Sequence, residues 1–414
     1  MKQISQGIGR WQGAGMMATT LLGTGVFILP QMTVEIAGEE ALWAWILLTL
    51  AIVPVTLIFG KLASRFAHAA GPAYFVERAF GNAAGRVVGL LFICVVPIGA
   101  SAAIIMTFMF VEQIIVFTGW HLLIAQLSCL LLLLAINVRG IHVSAKLQFF
   151  LTLAIVFLVC VLFGFAELET ANIRYQSLDH INITSAAGIA FWSFLGVEAM
   201  SHLSNDFKNP KRDMIPAMMF GTVLVGVIYL MCTILVLNHD ATPSDMTLVL
   251  VFNTSFSAHG NYVIGALGIA ASLATVNVYT ASLARLMCSF AEQGILPSYL
   301  SHKNAHQTPL NALMTLFCVI ALVLIVTYIA KQNLEDLINW VNGVFVLIYA
   351  AAMLSAWRLL SKSNRPFILL SLMFCVAMGI GVGAHMIYAF LLVLIVTPCV
   401  LLQQKFKSRT PALS

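Results

Sequence analysis

The chain has 414 residues, of which 61% are apolar and only 9% charged, with a formal net charge of +5. A water-soluble fold of this length needs far more charge to solvate its surface, so the composition excludes a soluble domain and makes lipid the solvent. The eight cysteines lie singly within apolar runs without CxxC spacing, which argues against a disulfide framework or a zinc site and for packing residues.

A spanning helix takes about 20 mainly apolar residues, and about a dozen such runs follow one another with short polar breaks. They cover 12 to 35, 41 to 62, 86 to 111, 121 to 137, 146 to 166, 185 to 204, 214 to 238, 261 to 290, 310 to 330, 335 to 360, 366 to 383 and 385 to 403. The third and eighth belong to apolar regions longer than one crossing and are expected to tilt or protrude.

The first run follows Lys2 and Arg10 but has no small-residue cleavage site, so it reads as a retained span and not a signal peptide. Within it, Leu-Leu-Gly-Thr-Gly-Val-Phe-Ile-Leu-Pro places Gly23, Thr24 and Gly25 near mid-membrane, where two glycines let the helix open. Irregular backbone at that depth is tolerated only where it lines a protein cavity or water. The freed amides of Gly25, Val26 and Phe27 would form a helix N-terminus suited to a carboxylate. The same glycines also suit close helix packing, and the residues themselves leave both readings open.

Between the second and third spans, Gly71-Pro72 to Gly81 is amphipathic, with Tyr74, Phe75, Glu77, Arg78 and Phe80. It predicts a short interfacial helix, either a gate element or a cover for the bundle. The sixth span carries the second interruption, Phe-Trp-Ser-Phe-Leu-Gly-Val-Glu-Ala-Met, with Gly196 and an ionisable Glu198 near the bilayer centre. A carboxylate there is costly unless protonated, paired or hydrated, which makes it a functional candidate; the alternative is an acid that bonds nearby backbone and fixes helix geometry. Trp192 lies inside the same span, away from the interfacial belts, placed either to cover a small ligand or simply to pack. Breaks in spans one and six are five helices apart, the spacing of two inverted five-helix repeats with a site between them.

With the N-terminus inside, nineteen of the twenty-one Lys and Arg fall on inward segments, and only Arg174 and Lys331 fall outside. By the positive-inside rule both termini are cytoplasmic, which requires an even number of spans. His68, His142, His202 and His385 have no metal-ligand spacing. No phosphate-binding loop of a pump is present, and no polar catalytic cluster of a membrane enzyme. A channel would carry a polar face along several spans, whereas polarity here is confined to two breaks and one acid. A carrier of small ligands remains, with a membrane-embedded sensor as the reading from another class.

Four stretches resemble the amino acid-polyamine-organocation transporter family: Leu22 to Pro30; Asn137, Gly140 and Gln148; Trp192 to Glu198 with Asp206 to Asp213 and Pro216; and Asn277, Arg285 and Gly294 to Pro297. The Leu-Leu-Gly-Thr-Gly-Val-Phe and Phe-Lys-Asn-Pro segments, with the context of Asn342 and Gly343, are most similar to the family's bacterial exporters of methionine and branched-chain amino acids. The resemblance implies an all-α integral membrane protein of about twelve transmembrane helices, with a 5+5 inverted-repeat (LeuT-like) core and two added C-terminal helices. The repeats would be 1 to 166 and 167 to 362, followed by 363 to 414.

It also implies a proton-driven exporter of methionine, leucine, isoleucine and valine in the cell inner membrane, with an importer or exchanger as the alternative. The substrate carboxylate would meet the backbone of Gly23, Thr24, Gly25 and Val26, its amino group the carbonyls near Trp192, Leu195 and Gly196, and Glu198 would sense protons. Some relatives carry a lysine a few residues past the glutamine in span five; here Phe149 to Ile155 supply no cation. Ser272 or Thr275 are the hydroxyls that would serve sodium instead. No cofactor, metal or nucleic acid is expected. The partners are small neutral amino acids, protons and membrane lipids, in a monomer or homodimer.

Overall fold

In the computed structural model of the protein, residues 8–68, 70–139, 145–166, 180–239, 246–256 and 259–409 are described. Gly140 and His142 of the motif before span five lie outside these residues, as does Arg174. The described chain is helical, with one isolated bridge between Ile8 and Phe207.

The first span is broken into α1 (Arg10–Leu22) and α2 (Leu29–Ala37), followed by α3 (Ala41–Arg65), the short α4 (Pro72–Phe80), α5 (Asn82–Glu112), α6 (Trp120–Val138) and α7 (Ala145–Phe165). The second half repeats this order. A broken span of α8 (His180–Ala190) and α9 (Ala199–His202) leads to α10 (Pro210–Leu237), the short α11 (Thr247–Phe256), α12 (Gly260–Glu292), α13 (Leu310–Ala330) and α14 (Leu334–Leu359). Two further helices, α15 (Arg365–Val382) and α16 (Met386–Arg409), complete the chain.

Ten helical stretches among the described residues are long and apolar enough to cross a membrane. The difference from twelve arises where spans run together or are cut short. Leu29–Arg65 joins α2 to α3, and Lys362–Lys405 joins α15 to α16 across the tight turn at Gly383–His385, while the 13 residues of α1 are too few to cross alone. With α15 at 18 residues and α16 at 24, each can cross the hydrocarbon core by itself.

Spans five apart in order pack on each other, the second (α3) against the seventh (α10) and the third (α5) against the eighth (α12), while α2 of the first packs on α8 of the sixth. The two breaks are thereby brought to one place in the middle of the bundle. The short helices α4 and α11 occupy equivalent positions in the two halves; α11 escaped the hydropathy reading because its ten residues are half a crossing.

Basic residues gather at one end. Arg10 lies 3.3 Å from Asp213, and the main chain of Ile8 bonds to both Asp206 and Lys208, which ties the start of α1 to the loop before α10. At the same end Lys61 donates to Asn364 Oδ1 at 2.6 Å, and Arg358 donates to the Ala79 carbonyl at 3.0 Å while lying over the Phe80 ring. In this way α4 is fastened to α14, as its amphipathic sequence anticipates.

Candidate functional site

The break in the first span is a tight turn. The Gly23 amide still bonds to Thr19 O at 2.9 Å, and the amides of Gly25 and Val26 both bond to Leu22 O, at 3.2 and 3.0 Å. Of the three amides expected to be free, only that of Phe27 has no backbone carbonyl partner among the described residues; the amide of Thr24 is the other. The correction is physical: the chain closes the Gly25 and Val26 amides on the preceding turn sooner than leave those donors bare in an apolar interior. Gly23 is required by close approach, since a Cβ there would lie 2.2 Å from Thr275 Oγ1 on α12.

The break in the sixth span is more open. After a single 3-10 turn at Phe191–Phe194, Leu195 is extended (φ −68°, ψ 126°) and Gly196 takes φ +127°, a conformation that L side chains rarely adopt. The chain restarts by folding Glu198 back on itself. Its Oε2 accepts the Gly196 N–H at 2.9 Å, and Ala199 then bonds to Gly196 O at 3.0 Å.

Glu198 is fully buried, and two tyrosines from the second half of the chain complete its shell. Tyr279 of α12 donates to Oε1 at 3.1 Å, and Tyr349 of α14 donates to Oε2 at 2.5 Å. Three donors converge on one carboxylate, so the charged form is satisfied without a cation. The Tyr349 hydroxyl also lies 3.2 Å from the Phe194 carbonyl, within the break itself. A proton arriving on Glu198 therefore has an acceptor: Glu198 donates to the Tyr349 oxygen, and Tyr349 turns its own hydrogen to Phe194 O. Both protonation states keep their hydrogen bonds, and the exchange changes the bonding of the broken helix.

Next to this cluster a cavity opens between the two breaks. Of the residues expected to hold the substrate, Thr24, Trp192 and Leu195 line it, while Gly23, Gly25, Val26 and Gly196 do not. The Trp192 indole donates to Thr24 Oγ1 at 3.1 Å, bridging the two broken spans. Glu198 does not reach the cavity; Tyr279 lines it and stands between. Thr20 and Leu21 of α1, Val96, Gly99, Ala100 and Ala103 of α5, Thr275 and Val276 of α12 and Val341 and Phe345 of α14 complete the wall. No lining residue is charged.

Tyr279 and Tyr349 were missed, although a tyrosine in mid-span, away from the interfacial belts, needs a polar partner when buried. Thr275 donates to Ala271 O at 3.1 Å, the usual bond of a hydroxyl to the preceding turn, and the buried Ser272 hydroxyl has no hydrogen-bond partner among the described residues. No group of three His, Cys, Asp or Glu among the described residues could hold a metal ion.

The model of the amino acid permease family matches residues 8–412, nearly the whole chain. The chain belongs to the amino acid permease family, within the amino acid-polyamine-organocation transporters. This permease is 34% identical over 399 residues to the L-methionine/branched-chain amino acid exporter YjeH of Escherichia coli (strain K12), covering 95% of each chain. It is 23% identical to the uncharacterized amino acid permease YecA of Bacillus subtilis (strain 168), over 92% of the permease and 89% of that relative. To the mouse Asc-type amino acid transporter 1 it is 22% identical, over 87% of its own length and 71% of the transporter's. The family match over residues 8–412 includes both broken spans and the two C-terminal helices.

Proposed function

We propose that this permease is a secondary transporter that exports methionine, leucine, isoleucine and valine across a bacterial inner membrane, driven by the proton gradient through alternating access. The observation that carries the reading is the cavity between the two broken spans. It offers hydroxyls, an indole and apolar side chains but no charge to pair a basic or acidic side chain, which suits a neutral, apolar amino acid. The relative from Escherichia coli, named for methionine and branched-chain export, supports the same substrate class.

The Thr24 hydroxyl with the amides of Thr24 and Phe27 are the groups for the substrate carboxylate, the carbonyls around Leu195 take its amino group, and Trp192 covers it. Rocking of one bundle against the other about the two breaks alternates access, with 1 to 166 and 167 to 362 as inverted repeats and 363 to 414 appended. The packing of α3 on α10 and α5 on α12 supports that division. The basic end of the bundle faces the cytoplasm, with both termini on that side. Glu198 carries the coupling proton, and Tyr279 links it to the occupied cavity.

Efflux of labelled methionine and leucine from loaded cells, with and without the permease, tests the proposal. Faster efflux that disappears when the proton gradient is collapsed is the expected result. Unchanged efflux with faster uptake or exchange would replace it with an importer or antiporter, and dependence on sodium would return attention to Ser272.

A further inference from the structure

Two cavities away from the central one are lined by successive residues of α6 and α12. At the basic end, a polar cavity is lined by Asn137, Arg285, His306, Gln307 and Thr308, among others. Arg285 uses Nε on the Ala281 carbonyl at 3.3 Å, and the rest of its guanidinium has no partner among the described residues. The chain from Asn304 to Thr308 is fixed around Asn304, whose Oδ1 accepts the amides of His306 and Thr308 and whose Nδ2 reaches Val138 O at 2.7 Å. It delivers the N-terminus of α13, a helix of 21 residues without a side-chain cap, to the same cavity. An arginine and a histidine, both exposed, and a helix N-terminus line this one space, a combination that favours an anion.

Farther along, the second cavity is wholly apolar, walled by Leu132, Leu133 and Ile136 of α6, Leu147 and Leu151 of α7, and Leu273 of α12. The two parts meet where Asn137 donates to Asn277 at 2.5 Å, with Asn137 lining one and Asn277 the other. Ala274, Asn277, Ala281, Ala284 and Arg285 fall at helical spacing, so one face of α12 runs through both. Leu132 and Leu147 are exposed, open to the surrounding lipid.

We infer that the two cavities form one groove that binds one anionic phospholipid, its phosphate at Arg285, His306 and the start of α13 and an acyl chain between α6, α7 and α12. Charge complementarity selects the headgroup, and the apolar continuation selects a lipid over a free anion. The opposite side of α12 lines the central cavity through Thr275, Val276 and Tyr279, so the lipid braces a helix of the transport site from behind.

Native mass spectrometry of the full-length permease in detergent, titrated with phosphatidylglycerol, phosphatidylcholine or inorganic phosphate, tests this. Retention of one phosphatidylglycerol in preference to phosphatidylcholine is expected, with affinity falling about tenfold in Arg285→Gln, the loss of one charged hydrogen bond. Leu132→Trp, which fills the apolar part from the lipid side, should weaken phosphatidylglycerol and leave phosphate untouched. Equal binding of the two lipids by wild-type protein would overturn the inference even if neither variant folds. So would phosphate that binds as tightly as phosphatidylglycerol, since the groove would then take a free anion.

Discussion

The two broken helices solve one problem by different means. In the first span the chain satisfies itself: Leu22 O takes the amides of both Gly25 and Val26, and small residues let α1 lie against α12. In the sixth span the backbone cannot close on its own, because Leu195 is extended and Gly196 has positive φ. Glu198 from the same break, with Tyr279 and Tyr349 from two other helices, supplies what is missing. The first break is therefore insensitive to pH by construction, whereas the bonding of the sixth depends on whether one carboxyl holds a proton. In the proposed mechanism the two breaks divide the work, the first as an anchor for the substrate carboxylate and the sixth as a proton-responsive hinge.

Substitution of Glu198 is the severest way to separate the two. Glu198→Leu leaves the Gly196 amide and the Tyr279 hydroxyl without their acceptor, at about 1–3 kcal/mol each, while Tyr349 falls back on the Phe194 carbonyl. The expected result is loss of transport together with a lower midpoint of thermal unfolding in detergent. A stable, active Leu variant would show that the sixth break closes by itself as the first does.

A smaller effect is expected in the first break. Gly23→Ala sets a methyl against Thr275 Oγ1, at about 1–3 kcal/mol of overpacking, and should slow efflux without altering its response to pH. Adding Thr275→Ala removes the nearest clashing atom and should restore part of the rate. Absence of any recovery in the double variant would mean that backbone freedom, not contact with α12, is what Gly23 supplies.

Trp192→Phe is the mildest test. It removes the hydrogen bond from the indole to Thr24 that joins the two breaks, while keeping an aromatic ring over the cavity. About 1 kcal/mol is at stake, equivalent to roughly a fivefold rise in the half-saturating concentration of methionine. An unchanged value would remove the bridge from substrate binding.

Much of this could be read from residue order. The spans follow from hydropathy because lipid imposes it, and Glu198 stands out because an acid in an apolar helix is costly. The short α4 was visible from its Gly-Pro start and its mixed face. What stayed hidden depends on contacts distant in sequence. Tyr279 and Tyr349 lie 81 and 151 positions from Glu198, and although a mid-span tyrosine calls for a polar partner, nothing local says which one. The amides of Gly25 and Val26 were misjudged for a related reason: glycine reports that a helix can open, not how the opened backbone is then satisfied.

The most direct test of the division between anchor and hinge is transport by purified Glu198→Gln permease in liposomes, with and without an imposed proton gradient. Glutamine keeps the shape and an acceptor oxygen for the break but cannot exchange a proton at pH 5 to 8. The expected result is methionine transport whose rate no longer responds to the gradient, beside a wild-type protein that does. Full gradient-driven transport by the Gln variant would contradict a coupling role for Glu198.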